Sequence, residues 1–340
     1  MKKIIVDVMG GDNAPAELIK GAYAAKCEFG DKAEYILVGD EAQIRASAKE
    51  TKTELDGFTI VHAPTVVPME DDATCVIRTK TDSSMAIGLK MLAAGEGDAF
   101  VSTGNTGALF TGASLIVRKV NGIRRPAIGA ILPMTPPVLL IDSGANISVT
   151  PEYFEQFAIM GSAYMKKIHG VESPRVGLLN NGAEDCKGTE LQIESYKLLA
   201  SNPDINFVGN IEGDKVMKDT CDVLVADGFS GNILLKTMEG MGKLTLTTLK
   251  NVLMTNAETK LAAVLLKKQL EVVKRNFDGT ELGGAPILGI AKPVIKAHGS
   301  SKAKAFKNAI RQAIAYSDSD LTEDISRLAL SLSQRKKQQS

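Results

Sequence analysis

Tryptophan is absent from this chain, and aromatic residues make up only 5%, which leaves few platforms for stacking nucleobases. Net charge is missing too. Lys plus Arg equals Asp plus Glu at 40 each, so no global field argues for a nucleic-acid partner. Histidines number only three, and the four cysteines (Cys27, Cys75, Cys186, Cys221) lie far apart without a CxxC pair. Neither a disulfide framework nor a metal site is suggested. No run approaches the roughly 18 apolar residues that span a bilayer. The opening MKKIIVDVMGGD is basic, but its apolar stretch is too short for a signal peptide. The chain reads as cytoplasmic and not integral to a membrane.

Familiar site signatures are missing as well. There is no GxxxxGK[ST], so a Walker-type NTPase is excluded, and Met9-Gly10-Gly11-Asp12 lacks the spacing of a dinucleotide fingerprint. Around Ser230 the order is G-F-S-G-N, which is not the G-x-S-x-G nucleophile elbow.

What is present is a repeated pattern. The 340 residues are 44% hydrophobic and 24% charged, enough for one large α/β domain or two modest ones. Many of the 31 glycines follow short apolar runs. The runs are IIVDVMGGD (Ile4 to Asp12), YILVGD (Tyr35 to Asp40), AFVSTGNTG (Ala99 to Gly107) and VLLIDSGAN (Val138 to Asn146). VGLLNNGAED (Val176 to Asp185), FVGNIEGD (Phe207 to Asp214) and VLVADGFSGN (Val223 to Asn232) follow the same plan. Such runs, bounded by turn residues and separated by helical stretches, predict a largely parallel sheet covered on both faces. Ligands of such sheets bind outside the carboxyl ends of the strands. Tight β–α turns explain the glycines of any single loop; the set together reads as a shared active-site edge. Val101 to Gly107 and Val225 to Gly231 both run strand, G-x-[ST]-G, helix, a hint of two related halves meeting near residue 150.

Residues 242–275 break this rhythm. They read as two helical segments joined near Thr255-Asn256, with Lys243, Lys250, Lys260, Lys267, Lys268, Lys274 and Arg275 against Glu258 and Glu271. A protruding basic hairpin of this kind suits an anionic partner or membrane, and equally an ordinary surface or dimer-packing hairpin. Its apolar tip looks modest. The polar residues 331–340 read as a frayed tail.

The polar loops suit an anion. Gly104-Asn105-Thr106-Gly107 opens a helix, where glycines let backbone approach and free N–H groups can hold phosphate oxygens. Lys187 stands between a strand and the helix beginning at Thr189-Glu190, where it can neutralise a phosphate; its bland reading is a surface lysine paired with Glu184 or Asp185. Cys186 beside it could be a nucleophile, but no histidine stands near in sequence to serve as base, so it reads as a bystander. In Asp227-Gly228-Phe229-Ser230-Gly231-Asn232, the Asn232 amide can stabilise an oxyanion or cap a helix. His298, in His298-Gly299-Ser300-Ser301, can touch an anion or be structural.

Taken together, VDVMGGDNAP, STGNTGAL, RPAIGAILP (Arg125 to Pro133), LIDSGAN and EDCKGTEL resemble one family in order and spacing. GNIEGDKV, VADGFSGNILLK, LGGAPILGI (Leu282 to Ile290) and KAHGSSKAKA belong to the same set. The chain resembles the PlsX-type phosphate acyltransferases from about Lys3 to Ala315. The resemblance implies transfer of a fatty acyl group from acyl carrier protein (ACP) to inorganic phosphate, without metal or other cofactor, for phospholipid synthesis. It implies a three-layer α/β/α fold like those of phosphotransacetylases and isocitrate-type dehydrogenases, spanning residues 1–330 with two intertwined lobes, usually as a homodimer. The family's catalytic lysine, in its E-x-K-G pattern, falls on Lys187, here preceded by Asp185-Cys186. The asparagine of its D-G-F-x-G-N pattern falls on Asn232, in its own subunit or across the dimer. The hairpin 242–275 matches the region through which such enzymes touch membranes peripherally.

The expected site therefore has phosphate among Gly104, Asn105, Thr106, Gly107, Lys187, Ser230 and Gly231, with Asn232 at the carbonyl. The acyl-phosphopantetheine arm passes along Gly10, Gly11, Asp12, Asn13, Asp227 and His298. Rival readings are a short-chain phosphotransacetylase using acyl-CoA, a metal-dependent hydroxyacid dehydrogenase and a non-catalytic carrier- or membrane-binding protein.

Overall fold

The computed structural model describes residues 1–277 and 283–339. Leu282 and Ser340 lie outside the described residues, as do the side chains of Lys274 and Arg275. All seven apolar runs form strands: β1 (Lys2–Asp7), β2 (Ala33–Gly39), β4 (Ala99–Ser102), β6 (Val138–Ile141), β7 (Arg175–Asn180), β8 (Asn206–Glu212) and β9 (Val223–Val225). Four further strands complete one sheet: β3 (Phe58–His62), β5 (Ala127–Leu132), β10 (Ala285–Leu288) and β11 (Val294–Lys296). The helices are α1 (Ala16–Phe29), α2 (Glu41–Thr51), α3 (Cys75–Arg78), α4 (Ser84–Ala94), α5 (Thr106–Gly112) and α6 (Pro151–His169). They continue with α7 (Glu190–Ser201), α8 (Gly228–Leu253), α9 (Ala257–Leu265), α10 (Lys267–Phe277), α11 (Ala303–Ser317) and α12 (Leu321–Gln339).

Strand alternation explains the three layers. Ile4 and Val6 of β1 join one core with Leu18 of α1 and Phe306 of α11, whereas Ile5 between them faces Leu89 of α4. Each such fully buried aliphatic side chain contributes about 1.5–3 kcal/mol by leaving water. In the second half, Val223 and Val225 of β9 share the first core with Phe154 and Phe157 of α6. Leu224 turns to the opposite face, where Leu234, Leu235 and Met238 of α8 cover it.

The sheet order is β3-β2-β1-β4-β11-β10-β5-β6-β9-β7-β8. Strands β3, β2, β1, β4 and β11 are mutually parallel, as are β6, β9, β7 and β8. Between the blocks the β11–β10, β10–β5 and β5–β6 pairs are antiparallel. Three reversals leave the two parallel blocks running in opposite directions. The expected single carboxyl edge is therefore corrected to two opposed sets of loops, because the short antiparallel centre turns the chain over between the halves.

Two other expectations change. Residues 331–339 do not fray: they end α12, where Leu332 is buried, Lys336 reaches Glu155 at 2.7 Å and Arg335 pairs with Asp204. The hairpin does not begin at residue 242, since α8 runs unbroken from Gly228 to Leu253, and its second segment is split into α9 and α10. Asn256 then caps α9, accepting from the Thr259 N–H at 2.8 Å. The hairpin's apolar surface is also larger than expected. Val264 is 70% and Leu265 74% exposed, and Leu244, Val252 and Leu261 are exposed as well.

Candidate active site

In the first block, three loops meet at the carboxyl ends of β1, β4 and β11. The Thr103 hydroxyl donates to the Gly10 carbonyl at 2.5 Å, and the Asp12 N–H donates to Gly299 O at 2.9 Å. Asn13 Nδ2 donates to Ser300 O at 3.0 Å and to Ser301 O at 3.3 Å. Gly11 has φ +86°, and a Cβ there would sit 2.8 Å from Gly299 O, so both backbone shape and space call for glycine. A Cβ at Gly10 would come within 2.7 Å of the Gly104 backbone. Beneath the loops, buried Asp7 accepts from the Ser102 hydroxyl at 2.7 Å and from the Met9 N–H at 3.1 Å. The Gly104 N–H in turn donates to Ser102 Oγ at 3.0 Å. Burial pushes the Asp7 carboxyl above its ordinary value, against the pull of these donors.

The phosphate loop needs one correction. Asn105 is the N-cap of α5: its Oδ1 accepts from Ala108 N–H at 3.0 Å, while Nδ2 donates to Met69 O and Asp71 O, both at 2.9 Å. Its side chain fastens the 68–71 segment and is not free for a ligand. The N–H groups of Thr106 and Gly107 have no hydrogen-bond partner among the described residues, which leaves them for an anion.

Asp12 and His298 lie exposed at this rim. His298 Nδ1 is engaged by Ser300 (Oγ at 2.8 Å, N at 3.2 Å). Desolvation first, then the charge of Lys236, lowers its pKa, which favours the neutral ring. Lys296, two residues before His298, was not among the expected residues. It is only 8% exposed, and its Nζ donates to Ala297 O at 2.5 Å and to Thr103 O at 3.4 Å. Burial, helped by Lys236, pushes its pKa down to about 8. A lysine inside the apolar run Pro293 to Ala297 is the signal that would have found it.

In the second block, Asp227 is the N-cap of α8. Its Oδ1 accepts from Phe229 N–H at 3.0 Å and from Ser230 N–H at 2.8 Å, and its carbonyl takes Gly231 N–H at 2.9 Å. The expected role of Asp227 at the substrate edge is thus replaced by capping. The backbone N–H groups of Ser230 and Gly231 are occupied and cannot hold phosphate, which leaves the Ser230 hydroxyl. Gly228 and Gly231 instead allow close packing on the turn after β6: a Cβ at Gly228 would lie 2.8 Å from Asn146 N, and one at Gly231 would overlap the Asp142 carbonyl oxygen. That turn is organised by buried Asp142, which accepts from the N–H groups of Ile128 at 3.0 Å and Asn146 at 2.6 Å. Asn232 is not a helix cap. It sits exposed on the first turns of α8, beside Gly144. The G-x-[ST]-G likeness also dissolves, because Gly104 precedes its cap Asn105 whereas Gly228 follows its cap Asp227.

Lys187 lies in the loop between β7 and α7, exposed. Its backbone is fixed by Asn180 Nδ2 donating to its carbonyl at 3.0 Å and by its own N–H donating to Glu184 O at 3.2 Å. Among the described residues it forms no ion pair with Glu184 or Asp185, so of the bland reading the surface position holds and the pairing does not. Nor does any bond among the described residues join it to the first block's loops. Asp185 and Cys186 line, with Ile193 and Tyr196 of α7, an open groove of about 540 Å³.

Helix α8 connects the two sets of loops. Asn232, Lys236, Glu239 and Lys243 recur every three or four residues and so share one helix face. The charges of Lys236, Glu239 and Lys243 are felt at His298, and that of Lys236 at Lys296. A helix that starts in the second block thus carries a charged face whose field reaches His298 and Lys296 in the first. The arrangement offers backbone donors, amide and ammonium groups, with one histidine held neutral; it suits charge stabilisation better than proton relay.

Solved structures share this architecture. A phosphotransacetylase from Streptococcus pyogenes superposes with a TM-score of 0.60 at 16% identity, over 95% of this chain and 94% of that one. A branched-chain phosphotransacylase from Enterococcus faecalis V583 gives 0.54 at 15% identity, over 93% of this chain and 99% of the other. At such identities the likeness is one of fold.

The chain belongs to the fatty acid synthesis protein family, whose profile matches residues 2–323. It is 46% identical over 323 residues to the phosphate acyltransferase of Acetivibrio thermocellus, covering 95% of both chains. With the phosphate acyltransferase of Bacillus subtilis it shares 42% identity over 313 residues, 92% of this chain and 93% of the relative.

Proposed function

We propose that this enzyme, a phosphate acyltransferase, moves a fatty acyl group from the thioester of an acyl carrier protein onto inorganic phosphate. The likeness to phosphate acyltransferases over nearly the whole chain carries this reading, and the donor-rich, base-poor cleft agrees with it. Phosphate rests on the Thr106 and Gly107 N–H groups and the Ser230 hydroxyl, with Lys187 as a cationic partner. One of its oxygens attacks the thioester carbonyl. The carbonyl oxygen takes up negative charge, which the Asn232 amide stabilises, an effect worth about 3 kcal/mol in favourable sites. As the tetrahedral intermediate collapses, the C–S bond breaks and the carrier thiolate leaves with the electron pair. A free thiol has a pKa of about 8.5, so departure needs no strong acid. Positioning and charge stabilisation carry the rate.

The enzyme works as a homodimer in this reading. Phe229 and Ile233 beside Asn232 on α8, and Ile147 in the loop after β6, are exposed, the last 71%, and suit cover by a second copy. A second copy also answers the separation of Lys187 from the anion loops within one chain. No described helix is long and apolar enough to cross a membrane. Helices α9 and α10 instead touch a membrane or carrier peripherally through their basic and exposed apolar side chains.

The test measures free thiol released from palmitoyl-ACP, with and without phosphate. Phosphate-dependent release should fall by about 100-fold or more in Lys187→Ala. A raised phosphate KM alone would make Lys187 a binding group; a lower kcat as well would place it at the transition state. Release without phosphate would mark a thioesterase, and no release would leave a binding protein. Acyl-CoA in place of acyl-ACP separates the phosphotransacetylase reading, favoured only by the shared fold.

A further inference from the structure

We infer that Lys296 is the cation at the floor of the anion site, donating its free N–H directly to the phosphate that Thr106 and Gly107 hold from the side. This deepens the proposed acyl transfer and rests on it.

An ammonium has three N–H donors. In Lys296 two are taken by the carbonyls of Thr103 and Ala297, the residues just before Gly104 and His298. The amine is therefore pinned between the two loops that form the rim, and its third donor has no acceptor among the described residues. Burying an ammonium is unfavourable unless charge compensates it. The carboxylates whose charges it feels are Asp12, from the loop after β1, and Asp7, beneath on β1. Asp7 is spoken for by Ser102 and Met9, and its own carboxyl is pushed toward the neutral form. Among the described side chains none forms an ion pair with Lys296. A dianion arriving on the rim is the compensation this buried amine lacks.

The surroundings fix how the site responds to pH. Burial and Lys236 on α8 draw the amine to about 8, while Asp12 and Asp7 oppose them. His298, on the next loop, is kept toward the neutral form by desolvation and Lys236 and contributes no charge change above neutral pH. The free enzyme therefore carries the Lys296 charge below pH 8 and loses it above. Phosphate binding should weaken in step, because a group with a lowered lysine pKa is neutral on the alkaline side.

Phosphate-dependent thiol release from palmitoyl-ACP would be followed from pH 7 to 9 for wild type, Lys296→Met and Lys296→Arg. In wild type the phosphate KM should climb above pH 8, approaching tenfold per unit. Lys296→Met should raise it tenfold or more at pH 7 and abolish the climb, with the acyl-ACP KM within twofold. Lys296→Arg, which keeps its charge, should have a KM flat across this range. A folded Lys296→Met with wild-type phosphate KM overturns the inference and leaves the acyl transfer standing. Should the variants fail to fold, wild type alone decides it. Sulfate, whose charge is constant over this range, should raise the melting temperature at pH 7 and lose that effect by pH 9. Equal stabilisation at both pH values refutes the role of Lys296, whatever the turnover; absence of phosphate-dependent release in wild type refutes the reaction instead.

Discussion

Gly231 holds Asn232 in place by having no side chain. Its helix turn presses on the Asp142 carbonyl so closely that a Cβ would overlap that oxygen. Asp142 cannot yield, because its carboxylate is anchored by the N–H groups of Ile128, Ala145 and Asn146. Gly231→Ala should therefore lower stability by about 1–3 kcal/mol through overpacking. It should also displace Asn232, and a shift of about 1 Å in a catalytic group can lower a rate by about 100-fold. Urea unfolding and kcat measured on one preparation would check both; a stable Ala variant with full kcat would show that this contact does not set Asn232. The sequence alone could not reveal this. It showed glycines next to a polar pair, yet their purpose depends on a turn some 85 residues earlier in the chain. The same holds for Asp227 and Asn105, which read as ligands and prove to be caps, because capping and ligand binding use the same residue types. Lys187 and Asn232 were legible as polar-loop residues with two readings each, between which the family resemblance chose, whereas Lys296 escaped notice inside an apolar run.

At the level of elements, the seven strands with apolar runs ending in turn residues were legible, and for all of them but the edge strand β8 burial on both faces imposes such runs. The four others were not. β3 lies at the sheet edge and is half-exposed along its length, and β10 and β11 span only four and three residues. Their pairing depends on long-range partners, and with it went the reversal of direction between the blocks. The hairpin was legible as two basic helical segments, but its connection was not: α8 carries Asn232 at one end and leads into the hairpin at the other. A ligand that seats the hairpin would therefore act on the same helix that bears Asn232, the amide proposed to stabilise the carbonyl oxygen. Binding to an anionic surface gains about 1 kcal/mol per nearby lysine. Reversing Lys260, Lys267 and Lys268 to Glu should then remove most co-sedimentation with vesicles containing phosphatidylglycerol, while neutral phosphatidylcholine vesicles bind neither protein. Unchanged binding of the triple variant would move membrane contact to another surface, and a raised KM for acyl-ACP would show that the carrier docks there as well.

For the molecule as a whole, opposed blocks pose a problem of closure, since a sheet that reverses in its middle has weak, short strands where its halves join. Part of the answer lies at the C-terminus. Helix α12 packs along α6, whose residues support the second block, and Leu332 enters the common core. Glu155 of α6 is buried, accepts from Asn202 Nδ2 at 2.8 Å and forms an ion pair with Lys336 at 2.7 Å, while Arg335 pairs with Asp204 in the turn before β8. This last stretch of helix ties α6 to the outer edge of the sheet. Removing residues 331–340 would take the Lys336 counter-charge from the buried Glu155 carboxylate, and leaving a buried polar group without its partner costs about 1–3 kcal/mol. The truncated enzyme should therefore unfold at clearly lower urea. Adding Glu155→Gln should restore part of the loss, because a neutral amide needs no counter-charge. Since α12 lies against α6 and away from the loops after β4 and β11, the phosphate KM of molecules still folded should stay within twofold of wild type. A phosphate KM that rises with the truncation would mean that the clasp also sets the spacing between α8 and the anion loops, and the two blocks would then have to be treated as one mechanical unit.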